Sequence, residues 1–92
     1  MKATIDEELY ENYPNIVHVH FDIEATNDAI VVNGKRMPVE YLQGYTYKLM
    51  RRTIRTNGTL TKFIEENAKF GELFFFDIIQ ICKHVIKYGK KV

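Results

Sequence analysis

Apolar and polar residues alternate with period two along "IVHVHFDI", residues 16–23. Val17, Val19, Phe21 and Ile23 fall on one side, and Ile16, His18, His20 and Asp22 on the other, as in a strand with one dry and one wet face. "AIVV" at 29–32 reads as a second strand. Asn33–Gly34 after it is a hairpin turn, because both central positions of a tight primed turn need positive φ. "KRM" then forms a third strand that ends at Pro38. The pattern predicts a three-stranded antiparallel meander over about 16–37.

Elsewhere the period lengthens. "TIDEELYENYP" at 4–14 predicts a short N-terminal helix. Thr4 and Glu7 have capping-box spacing, Ile5, Leu9 and Tyr13 share a face, and Pro14 stops it. From 39 to 56, "VEYLQGYTYKLMRRTIRT" places Val39, Leu42, Thr46, Leu49, Met50 and Thr53 on one side of a helix. Asn57–Gly58 ends it, since either residue accepts the left-handed cap. "TLTKFIEENAKF" predicts a helix over 60–70 with Leu60, Phe63, Ile64 and Phe70 inward. Its outer face pairs Lys62 with Glu66 and Glu65 with Lys69, and Gly71 caps it. "ELFFFDIIQICKHVIKY", 72–88, is apolar over most of its circumference, with one narrow stripe of Asp77, Gln80, Lys83, His84 and Lys87. Such a helix is central to a fold or lies at an interface, and a chain this small needs one central element on which the rest packs. Ile78, Ile81 and Val85, opposite the stripe, are the expected core. The order α-β-β-β-α-α-α makes the fold class α+β, with the sheet covered on one face by helices.

Length bounds the organisation. Ninety-two residues, 46% hydrophobic, suit one compact domain spanning 1–92. The single cysteine, Cys82, forms no internal disulfide and suits a reducing compartment. The acidic opening residues have no signal-peptide character, and no apolar run is long enough to cross a bilayer. The expected location is cytoplasmic, in the host cell if the chain is viral, with no membrane partner.

Formal net charge is only +1, yet the two halves differ. Residues 1–40 hold three Lys/Arg against eight Asp/Glu, a net of −5, and residues 41–92 hold ten against four, a net of +6. Either one side faces a charged partner, or the halves neutralise each other inside the fold.

Three features of the sequence bear on catalytic and metal chemistry. His18 and His20, two apart on one strand face, can converge on a metal ion, but adding Asp22 from the same straight row requires a bend. The alternation alone explains these residues as a solvent face. "FDIEAT" at 21–26 resembles the first acidic motif of the DEDD exonucleases and of family B polymerase proofreading domains. The resemblance implies Asp22 and Glu24 as ligands of two catalytic divalent ions. It covers about ten residues, and the further acids of that family's later motifs do not occur here. Cys82 sits among apolar neighbours as an inert thiol, and the chain contains no serine. The expectation is a non-enzymatic protein with no cofactor.

One cluster asks for a partner. On the 39–56 helix, Lys48, Arg51, Arg52 and Arg55 lie opposite the apolar stripe with no acid at i,i+4, and Tyr41 and Gly44 share that face. Arginine suits two-point contact with phosphate or carboxylate, and glycine would permit close backbone approach. In a helix-turn-helix the second helix reads bases. Here the second helix is charge-balanced and the first is basic, which favours contact with the nucleic-acid backbone, or with an acidic protein surface, over base readout. Three functions follow. The first is nucleic-acid or nucleoprotein binding through this face. The second is an inhibitor or regulator of a host protein, of the sort phages and mobile elements encode. The third is a structural subunit that oligomerises through its Phe-rich last helix.

Overall fold

The computed structural model describes residues 1–12 and 14–92, the side chains of Glu11, Glu72 and Leu73 excepted. The class is α+β: one five-stranded antiparallel sheet in sequential order, with three helices. The strands are β1 (Lys2–Asn12), β2 (Asn15–Ala25), β3 (Ala29–Val32), β4 (Lys35–Pro38) and β5 (Lys90–Lys91). A 3-10 turn at Val39–Tyr41 leads into α1 (Gly44–Arg55), α2 (Leu60–Glu66) and α3 (Gly71–Tyr88).

The expected N-terminal helix is instead β1, which pairs along its length with β2. Positions i and i+4 fall on one face both of a helix and of a strand, so Ile5 and Leu9 satisfy either period. Tyr13, the third member of the expected stripe, lies outside the described residues. Pairing decides the matter. Ala3, Ile5 and Leu9 stand opposite Ile23, Phe21 and Val17 on the inner face, and Ile5 is completely buried. Burial of a side chain that size stabilises by about 1.5–3 kcal/mol, more than a short isolated helix could offer.

β2, β3 and β4 are antiparallel neighbours in that order, but as the middle of a five-stranded sheet rather than the three-stranded meander expected over about 16–37. Asn33 and Gly34 both take positive φ, at 49° and 80°. The Asn33 side chain also prolongs the ladder, since its Oδ1 accepts from the Asp22 N–H and its Nδ2 donates to the His20 carbonyl. The sheet gains a fifth strand beyond the last expected helix, where Lys90 and Lys91 pair with Arg36 and Lys35.

The helices differ from expectation at their ends. Residues 39–43 are a 3-10 turn and connector, so α1 starts at Gly44 rather than 39. Asn57 and Gly58 stop it, with φ of 63° and 72°. α2 is shorter than expected, and Phe70 is exposed rather than inward. Gly71 opens α3 instead of capping α2. A Cβ there would press on the Ile64 backbone, so glycine lets α2 and α3 approach closely.

α3 is central. It contacts α1, α2, β3 and β4, and buries Phe75, Ile78, Ile79, Cys82 and Val85. Of the expected polar stripe, Asp77, Gln80, His84 and Lys87 are exposed, while Lys83 is half-buried and lines a cavity. Ile81, expected in the core, is only partly buried. It lies about 100° around the helix from the middle of the buried stripe, on its margin. Among the described residues, no helix is long and apolar enough to cross a membrane.

Candidate anion-binding face

The buried side of α1 consists of Leu49, Met50, Thr53 and Ile54. The Thr53 hydroxyl donates to the Leu49 carbonyl, and that of Thr56 to the Thr53 carbonyl, so both buried hydroxyls are satisfied. With that side held down, helical geometry turns Lys48, Arg51, Arg52 and Arg55 outward within one sector. Together with Tyr47 and Met1 they line one shallow, open depression.

The four cations are held differently. Arg51 is half-buried. Its guanidinium donates to the Tyr47 hydroxyl at 3.2 Å and lies 5.8 Å from that ring's centre. Arg52 donates to the Asn67 side-chain carbonyl at 3.1 Å. Lys48 and Arg55 are exposed and have no hydrogen-bond or ion-pair partner among the described residues. Arg52 and Arg55 share a second depression with Asn67 and Glu66, the nearest source of opposing charge, although Glu66 comes within 4 Å of neither. The expected Lys62–Glu66 and Glu65–Lys69 pairs do not close to that distance either.

Among the described residues, no carboxylate of the acidic half pairs with this face. Among the described residues, every ion pair joins two groups within residues 1–40. Lys2 pairs with Glu24, Arg36 with Asp28, His18 and His20 with Asp6, and His20 with Asp22.

Two residues grouped with the cations from sequence stand apart. Tyr41, 72% exposed, belongs to the 3-10 turn and borders a different depression, with Arg36, Tyr88 and Lys90. The turn breaks the continuous helix that would have aligned it with α1. Gly44 is the first residue of α1, and open space surrounds its Cβ position. Tyr47 is the site residue that sequence reasoning missed. Its i,i+4 spacing to Arg51 was the available signal.

His18, His20 and Asp22 lie on the exposed face of β2. Asp6 from β1 sits between the two histidines, contacting His18 Nε2 and, at 3.7 Å, His20 Nδ1. Among the described residues, no group of three or more His, Cys, Asp or Glu is arranged to hold a metal ion. Of the exonuclease-like pair, Asp22 accepts from the Thr4 hydroxyl at 3.0 Å and Glu24 meets Lys2 at 3.4 Å. Cys82 is buried, and burial pushes its thiol up to about 12. A thiol so rarely ionised is a poor nucleophile.

Comparison with protein families, with curated proteins and with solved structures finds no match to this chain.

Proposed function

We propose that the chain is a small, non-enzymatic binding module that holds the phosphate backbone of a nucleic acid on the basic face of α1. The observation that carries this reading is the lack of compensation. Lys48, Arg51, Arg52 and Arg55 line one depression, and among the described residues no carboxylate lies within 4 Å of any of them. Cations near a helix C-terminus gain about 0.3–1 kcal/mol each from the helix dipole. That gain does not require three arginines, whose planar forks suit phosphate oxygens. Tyr47 and Asn67 hold Arg51 and Arg52 in place, which lowers the ordering cost of binding. The openness of the depression suits a backbone that passes over it, not an enclosed small molecule.

Salt dependence tests the reading. Four phosphate contacts on duplex DNA give a log–log slope of binding against salt of about −3.6. The combined change Arg51→Glu, Arg52→Glu, Arg55→Glu should abolish binding and leave the fold in place, because none of the three belongs to the buried stripe of α1. Lys62→Glu with Lys69→Glu is the control for general charge and should cost little. Equal loss from both variants, or full binding by the triple variant, sinks the proposal. Binding to an acidic protein surface but to no nucleic acid would keep the face and change the partner.

A further inference from the structure

β1 is an edge strand, and the hydrogen bonds of the sheet show which of its backbone groups face outward. The Ala25 N–H donates to the Met1 carbonyl, so the odd-numbered positions of β1 face β2. Asp22 turns its N–H and carbonyl the other way, toward Asn33. Its cross-strand partner Thr4 therefore points its own groups off the edge, as do Asp6 and Glu8 in the same phase. At Thr4 the edge is covered, because Gly58 packs against that carbonyl. At Asp6 and Glu8 the outward backbone groups make no hydrogen bond among the described residues.

The chemistry around this open stretch is specific. Asp6 and Glu8 stand on the exposed face, and Glu7 between them is half-buried on the inner face. His18 and His20 reach Asp6 from β2, while Glu8 has no ion-pair partner among the described residues. Just beyond, a largely apolar cavity of about 230 Å³ opens between the hairpin and the helices beside Leu9, Val17, Leu60 and Phe75, with Gln80 and Lys83 also on its wall. That is below the roughly 300–1,000 Å³ of small-molecule sites and is sized for an apolar side chain. A second copy of the chain is a poor occupant, because β1 paired with β1 sets carboxylates against carboxylates. A cationic strand reverses the sign of that interaction.

We propose that the free edge of β1 accepts an extended, lysine- or arginine-rich segment of another protein as a sixth strand. Its alternate basic residues stand beside Asp6 and Glu8, and an apolar residue on its other face enters the cavity next to Leu9. Main-chain hydrogen bonds supply affinity, while the alternating side chains supply selectivity. This surface is separate from the basic face of α1 and does not depend on it.

The probe is a capped heptapeptide alternating lysine with valine or leucine, titrated into the intact chain and followed by amide hydrogen exchange. Binding should slow exchange of the Asp6 and Glu8 amides by about tenfold or more and leave the odd positions, already paired to β2, unchanged. The same peptide N-methylated at alternate amides, or with glutamate for lysine, should not bind. Glu8→Pro removes an edge-facing N–H without touching the β2 ladder and should also abolish binding. Equal binding of the N-methylated peptide would reduce the effect to charge alone and overturn the proposal. So would an unchanged exchange rate at Asp6 and Glu8, or the same protection produced by nucleic acid or by self-association without peptide. The N-methylated arm uses the unaltered chain and decides the question even if Glu8→Pro misfolds.

Discussion

The Arg51 guanidinium donates to the Tyr47 hydroxyl at 3.2 Å, and that hydroxyl in turn donates to the Thr26 carbonyl at 3.1 Å. One phenol thus joins the basic face of α1 to the loop between β2 and β3. It also orders one cation of the four.

Tyr47→Phe keeps the ring and removes both hydrogen bonds. Stability should fall by about 0.5–1.5 kcal/mol for each of the two bonds, the usual net worth of such a bond. Affinity for a phosphate polymer should fall less than for Arg51→Glu, because the charge remains and only its ordering is lost. Thermal denaturation and a binding isotherm measured side by side check both parts. Full stability with unchanged affinity would show that the phenol orders nothing.

The core of α3 is asymmetric. Ile78 is fully buried and Ile81 only partly so. Ile78→Ala should cost roughly 2–5 kcal/mol through lost transfer energy and the cavity left behind. Ile81→Ala should cost clearly less, since water and neighbours can relax into its place. Chemical denaturation of the two variants under one condition gives the comparison, and equal losses would mean the margin of the helix is better packed than the burial indicates.

The glycines at the two ends of α1 should respond in opposite directions. Gly44 has open space where a Cβ would go, so Gly44→Ala should stabilise by about 0.4–1 kcal/mol. Gly58 has φ of +72° and packs against the Thr4 carbonyl of β1. Gly58→Ala should therefore destabilise by more than the Gly44 variant gains. A loss of phosphate binding in Gly44→Ala, with stability raised, would reveal a close backbone approach at that position.

Asp28 sets part of the acid stability. The Thr26 hydroxyl donates to it at 2.8 Å, and Arg36 pairs with it at 3.1 Å. The Thr26 hydroxyl above all, helped by the Arg36 guanidinium, holds its carboxyl below the ordinary 3.8, against an opposing effect of desolvation that is second in size only to the hydroxyl. A carboxyl whose folded pKa is lowered binds its proton more weakly in the native than in the unfolded state. Its contribution is complete above about pH 5 and is lost as pH falls through 3.8 and then the native value. Asp28→Asn should flatten that part of the stability curve between pH 5 and 2, read from denaturation midpoints at stepped pH. An unchanged acid limb would assign it to other carboxylates.

The features legible in the sequence are those with a local cause. Asn33–Gly34 and Asn57–Gly58 were readable as turns because few other residues accept positive φ. The alternation of β2 exposed its wet face, and with it the surface position of His18, His20 and Asp22. The sector of Lys48, Arg51, Arg52 and Arg55 followed from helical spacing alone. Tertiary structure decided what depends on a distant partner. Ile5 and Leu9 fit a helix and a strand equally, and only Phe21 and Val17 across the ladder made β1 a strand. Lys90 and Lys91 became β5 because β4 offered a free edge. Tyr41 parted from the basic face when the 3-10 turn broke the helix before it, and Ile81 moved to a margin because the buried stripe centres elsewhere. The charge asymmetry was visible in the composition, but whether its halves would cancel was not. Cancellation requires the two sets of side chains to meet, and among the described residues Asp6, Asp22, Glu24 and Asp28 find their partners within residues 1–40 while α1 turns its cations toward solvent.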